Sequence, residues 1–175
     1  MEFKELINVR NSIRQYSAGI PHDDLVAILR KAQRAPSWKN QQASRCYAVE
    51  SPEVLESFRN EALPPFNAKN SAGAALIVTT YVKGLVGFNG DVPTNEVGNG
   101  WGAYDLGLHD AFLILAASDA GYDTLIMGIR NADVIREKLG IPENEQIMSV
   151  ISIGKRAADV ENRSRKELEE VTKFY

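Results

Sequence analysis

The chain has 175 residues, a formal net charge of -3, and 25% charged against 44% hydrophobic residues, the balance of an ordinary soluble globular domain. The acidic excess argues against general nucleic-acid binding. No apolar run approaches the roughly 18 residues of a membrane span, and charges break up "MEFKELINVR" where a signal peptide needs an apolar core. Cys46 is the only cysteine, so no internal disulfide can form. The expectation is a cytoplasmic chain folded as a single domain over 1–175.

In chain order, Phe3, Leu6 and Ile7 are spaced for a short opening helix. Residues 11–19 are polar and turn-rich. A helix follows Pro21 with His22 or Asp23 as N-cap, and its stripe is Leu25, Ile28, Leu29 and Ala32. It stops at "APS", because the residue before Pro36 disfavours helix. "CYAVE" (46–50) reads as a strand and "PEVLESFRNEAL" as a helix with Pro52 in its first turn. "AALIVTTYV" (74–82) is a buried strand, apolar and β-branched throughout. Residues 83–102, with glycines at 84, 87, 90, 98, 100 and 102, read as one long loop.

Residues 103–121 form the most apolar helix, with apolar side chains on more than one face. Such a helix belongs in a core centre or a subunit interface, and Gly121 supplies its stop. "DTLIMGI" is a strand, "NADVIREKLG" a helix ending at Gly140, and "QIMSVISIG" a strand closing on Gly154. The tail has a basic half and then a short helix. Four strands among five or more helices give a mixed α+β domain. No G-x-G-x-x-G follows a strand, which argues against a Rossmann fold.

Neither histidine, His22 or His109, lies in a metal-spaced cluster, and no G-x-S-x-G elbow appears. No metal site and no catalytic side chain are expected. Asp105 and Asp110 read as a cap and a helix-face residue, or as a carboxylate pair. An enzyme without its own acid–base or metal machinery takes its chemistry from a cofactor, so anion-binding groups carry the information. In extended chain, side chains two apart share a face, so Arg10, Ser12 and Arg14 either converge on a phosphate or form a solvated surface. Arg163 and Arg165 repeat that spacing at the other end. Ser37, Asn40 and Gln42 offer donors and acceptors suited to the polar edge of a flavin ring. Gly128 would let backbone approach a planar ligand.

These stretches, in this order, resemble the nitroreductase family of FMN-dependent oxidoreductases. "RNSIRQYS" resembles the family's R-R-S-I-R-x-F opening, and "APSWKNQQA" resembles A-P-S-x-x-N-x-Q-P. "DLGLHDAFLILAASDAGYDT" resembles its glycine-ended central helix. "LIMGIRNADVIREKLGIP" resembles its G-x-x-x-x-x-x-V-R-x-x-L-G-I-P segment, and "NRSRKELEEV" its closing K-x-R-x-x-L-E-E-V. The resemblance implies an α+β nitroreductase-like fold, a central mixed or antiparallel sheet wrapped by helices. It also implies an intertwined homodimer with FMN at the subunit interface.

Carried over residue by residue, Arg10, Asn11, Ser12 and Arg14 would hold the FMN phosphate and ribityl chain, completed by Arg163 and Arg165. Asn11 would act mainly through its backbone. Pro36, Ser37, Asn40 and Gln42 would approach the cofactor from the partner subunit. Met127 and Gly128 would lie near the ring, with Asn67 at its edge. NADH or NADPH would be the hydride donor and a planar nitroaromatic or quinone the acceptor, in ping-pong order. A flavin-fragmenting or dehalogenating reaction, or a non-catalytic flavin-binding dimer, are the alternatives. Ala43 and Ser44 depart from the usual proline and aromatic after Gln42, and Asp110 stands where asparagine is common.

Overall fold

The structure, a computed structural model, describes residues 2–175. In chain order its elements are α1 (Phe3–Val9), β1 (Tyr16–Ala18), α2 (His22–Ala32), a single 3-10 turn at Trp38–Asn40, β2 (Ser44–Val49), α3 (Pro52–Ala62) and α4 (Pro65–Asn70). These are followed by β3 (Ala75–Val82), β4 (Phe88–Asn89), β5 (Val92–Pro93), α5 (Gly100–Asp119), β6 (Asp123–Met127), α6 (Ala132–Leu139), β7 (Glu145–Arg156) and α7 (Leu168–Val171).

The longest strand organises the sheet. β3 pairs with β7 from Glu145 to Ile153, and β6 pairs with it from Val150 to Gly154. Two partners at the same residues must lie on opposite edges. β2 extends the sheet beyond β3, and β1 takes the end of β7 at Lys155 and Arg156. Every one of these ladders is antiparallel.

Strand alternation sends the apolar residues to two faces. On β3, Leu76 and Val78 join Phe58 and Ala62 of α3 and Ile135 of α6 in one core. Ala75 and Ile77 join Leu25 and Ile28 of α2 and Leu113 and Ala117 of α5 in the other. Ile147 and Val150 share a face although three residues apart, because the ladder slips between Thr79 and Thr80. The fold is thus α+β, an antiparallel sheet between two helical layers.

Local chemistry sets both ends of α6. Asn131 caps α6, its side chain accepting from the Val134 N–H at 3.2 Å. The helix ends on Gly140 in the left-handed region (φ 62°), as its sequence position predicts. α2 starts after Pro21 with no side-chain cap, so neither His22 nor Asp23 has the predicted role. Two short elements escape the pattern, β1 and α4. Each is too short to show a period, and each is held by its neighbours. The 83–102 segment is also less irregular than expected. It contains the β4–β5 hairpin, and α5 begins within it.

Candidate functional site

Two polar regions matter, and the first lies at the chain ends. After α1 the backbone becomes extended at Arg10. Ile13 is buried, its N–H donating to the Thr124 carbonyl at 3.0 Å, and Ser12 forms a parallel bridge with Thr124. With Ile13 pinned inward, Ser12 and Arg14 stand exposed on the outer side. The tail returns alongside: Asn11 Nδ2 donates to Asn162 Oδ1 at 2.7 Å. Arg10, Asn11, Ser12 and Arg14 therefore share one cavity of about 360 Å³ with Arg163 and Arg165.

Among the described residues, none of those arginines has a carboxylate within 4.0 Å. Glu161 lies on the same wall, so four guanidinium charges face one carboxylate. The balance favours an anion. Next to Thr124 in the chain, the buried Asp123 accepts two hydrogen bonds from Arg156, Nε at 2.9 Å and Nη2 at 2.5 Å. That pair fixes the β6–β7 end on which Ser12 rests.

The second region is the loop 36–42. Lys39, Asn40 and Gln42 all have positive φ, at 48°, 56° and 50°, where non-glycine residues are strained. Ser37 Oγ accepts from the Gln42 N–H at 3.0 Å, and Arg45 donates to the Gln42 carbonyl at 2.8 Å. The Trp38 N–H donates to Asp105 Oδ2 of α5 at 2.8 Å. The Trp38 ring packs on Trp101 with centroids 4.8 Å apart, and Trp101 meets Tyr104 edge-on at 5.7 Å. Trp101 in turn lies against Gly87 (φ 77°), where a Cβ would come within 2.6 Å of its ring. Only glycine fits there, which ties the hairpin segment to α5.

Behind the loop is a cavity of about 390 Å³, lined by Pro36, Ser37, Gln42, Cys46, Asp105 and His109 among others. Burial, and secondarily the Asp110 carboxylate, push the Cys46 thiol up to about 12. Its Sγ lies 4.0 Å from His109 Nε2, and His109 Nδ1 lies 3.2 Å from Asp110 Oδ1. A thiol held protonated in this way is no nucleophile. Asp110 also accepts from Thr79 at 3.1 Å, and Thr79 bonds Ser149 at 2.9 Å, a buried polar line crossing the sheet. Asp105 and Asp110 are both buried within α5. Asp105 is therefore not a cap, and the two carboxylates serve separate partners rather than forming a pair. Among the described residues, no group of three or more metal-ligating side chains gathers.

The remaining predicted contacts cluster around the end of β6. Met127 is 2% exposed, pairs with Val150 of β7 and packs in the core, so the neighbouring Gly128 is the accessible position. Gly128 is exposed, with open space where a Cβ would be. Asn67 is buried and donates to the Ile129 carbonyl at 2.8 Å, propping this segment from α4. Within one chain the arginine cavity and the loop cavity share no lining residue.

Three residues of this arrangement lie outside the sequence reading: Asn162, the Asp123–Arg156 pair's anchor Asp123, and Asp105 as a loop tie. The first two carry no local signal, since their partners are remote in sequence. Asp105 does carry one, a charge inside an otherwise apolar helix.

A family model described as the Nitroreductase family matches residues 7–155. The chain belongs to the nitroreductase family. A curated relative from Archaeoglobus fulgidus, named by inference a NADH dehydrogenase/NAD(P)H nitroreductase, is 29% identical over 163 residues, covering 87% of this chain and 84% of that protein. A nitroreductase family protein from Clostridium novyi NT is 28% identical with a TM-score of 0.72, over 89% of this chain and 87% of that one. A nitroreductase by inference from Exiguobacterium sibiricum 255-15, solved in complex with FMN, has a TM-score of 0.86 at 24% identity, over 100% and 98% of the two chains. This last likeness, at its identity, speaks for the nitroreductase fold.

Proposed function

We propose that this nitroreductase-family chain is an FMN-dependent oxidoreductase that draws on NADH or NADPH and reduces a planar acceptor, a nitroaromatic or a quinone. The observation that carries this reading is the 360 Å³ cavity. It joins Arg10, Asn11, Ser12 and Arg14 to Arg163 and Arg165 from the far end of the chain. A phosphate monoester fits that set. Guanidinium groups present paired donors to its oxygens, and the Ser12 hydroxyl adds another. The names of the relatives support the same chemistry, one for NAD(P)H nitroreduction and one for bound FMN.

Bound FMN would supply the redox chemistry, taking a hydride from the nicotinamide and returning two electrons to the acceptor in ping-pong order. The chain's own groups bind and orient. The four arginines neutralise the phosphate. Pro36, Ser37, Asn40 and Gln42 offer polar groups to the ring edge. The open backbone at Gly128, next to the buried Met127, lets the ring approach, on a segment propped by Asn67. No side chain is assigned the role of acid or base.

Within one chain the loop cavity and the arginine cavity share no lining residue, which is compatible with a homodimer in which each loop reaches the partner's FMN. α5 supports it, leaving Tyr104 (60%) and Phe112 (41%) exposed beside the half-buried Leu108 and Leu115. Among the described residues no helix is long and apolar enough to cross a membrane, in keeping with a cytoplasmic reductase. The test is direct. Purified protein should be yellow, and its flavin absorbance should bleach anaerobically on adding NADH or NADPH. Colourless protein that takes up no added FMN overturns the proposal, and yellow protein that neither nucleotide bleaches overturns the reductase activity.

A further inference from the structure

The loop 36–42 raises a mechanical question. Its backbone holds three left-handed non-glycine residues within four positions. Lys39 and Gln42 bear a steric cost there that Asn40 largely escapes, so a loop free to relax would leave this shape. Something outside it must hold it.

Most of its polar contacts are local. The Asn40 N–H donates to the Ser37 carbonyl and the Gln41 N–H to the Trp38 carbonyl. Gln42 donates through its N–H to Ser37 Oγ and through its side chain to the Asn40 carbonyl. Arg45, three residues on, holds the Gln42 carbonyl. The loop's ends are fixed by the close of α2 and by the buried Ala43, whose carbonyl accepts from the Val82 N–H. Among the described residues, the hydrogen bond and ring contact that tie its middle to another element are both at Trp38, and both come from one face of α5. Asp105 takes the Trp38 N–H at 2.8 Å, and Trp101, one turn earlier, takes the ring.

Asp105 is 4% exposed. Burying a carboxylate is costly unless its hydrogen bonds return the loss. A plain packing position in an apolar helix would carry leucine or alanine. A carboxylate facing one backbone N–H instead gives a short, directional tie. The tie sits at the residue immediately after Ser37 and two before Asn40.

We propose that Asp105 is a positioning residue, a clamp that holds the strained loop on α5 and so sets the placement of Ser37, Asn40 and Gln42 toward the cofactor. The proposal rests on the FMN reading above for the cofactor, but the clamp itself is readable without flavin. Lys39 is exposed in the clamped loop, and trypsin cleaves after lysine only in chain that can unfold into its active site. A loop released from Asp105 should become a substrate.

The experiment compares wild type, Asp105→Ala and Asp105→Asn. Apo-protein is digested with trypsin, and cleavage after Lys39 is scored by mass spectrometry against cleavage after Lys166 in the exposed tail. FMN affinity is then measured by quenching of flavin fluorescence. Asp105→Ala should raise both the Lys39 cleavage rate and the FMN Kd at least tenfold. Asp105→Asn keeps the shape and an acceptor oxygen, and should recover most of both losses. If Asp105→Ala does not fold, Asp105→Ser, too short to reach the Trp38 N–H, is read in its place. Cleavage and affinity both at wild-type values would overturn the clamp. Faster cleavage with unchanged FMN affinity would overturn the positioning role. A wild-type protein that binds no FMN is a separate failure, of the cofactor reading, and shows before any variant is made.

Discussion

The arginine cavity and the loop 36–42 hold their polar groups in opposite ways. At the cavity the backbone is extended and unstrained, and one buried side chain, Ile13, turns its neighbours outward. Arg14 and Arg165 donate to backbone carbonyls one or two residues away, and with no carboxylate partner among the described residues the arginines keep their charge for a ligand. At the loop the backbone is strained at Lys39 and Gln42, and its shape depends on a carboxylate sixty-odd residues away in the sequence, at Asp105. Charge recognition tolerates a loose frame, because long guanidinium arms adjust to a phosphate. Recognition of a flat ring edge by short amides does not, so its frame must be fixed from outside.

The comparison can be broken at its strongest point first. Arg10→Ala combined with Arg165→Ala should lower FMN affinity by on the order of 100-fold or more. That follows from roughly 1.5–3 kcal/mol for each hydrogen-bonded charge removed. Melting temperature of the apo-protein should move by only a few degrees, since neither arginine has a buried partner. A titration showing wild-type affinity would return Arg10, Ser12 and Arg14 to a solvated surface.

Phe112→Glu tests the other half. A charge on the exposed apolar face of α5 should shift the protein to monomer in light scattering. The monomer keeps its arginine cavity but lacks the partner's loop, so FMN affinity should fall by about tenfold, less than in the arginine variant. A Phe112→Glu dimer with unchanged FMN affinity would place the interface elsewhere.

The smallest effect concerns strain. Lys39→Gly, at φ 48°, should leave apo-protein stability unchanged or raise it by up to about 1 kcal/mol. Glu56→Gly in the exposed middle of α3 should cost about 1 kcal/mol. Equal losses in urea melts at both positions would mean that the loop is not strained at Lys39.

Much of the fold was legible beforehand because its signals are local. The β-branched run before Val82 gave β3, Gly140 marked the end of α6, and the two-residue spacing of Arg10, Ser12 and Arg14 implied a shared face. The antiparallel fold and the family follow the resemblance in those same stretches. β1 and α4 were not legible, because three and six residues cannot display a period. The supposed loop 83–102 hid the β4–β5 hairpin, whose strands are two residues each.

By itself the sequence determined the chemistry available: which residues are cationic, which segments alternate, which helix is apolar on more than one face. Only the tertiary structure decided which of those residues meet. It brought Asn11 to Asn162 and both arginine pairs to one cavity, turned the Met127 side chain into the core, and set Asp105 beneath Trp38. The reason is physical. A side chain's charge, size and local periodicity are properties of the chain near it. The partner of a buried polar group is chosen by how the sheet and its two helical layers close around it.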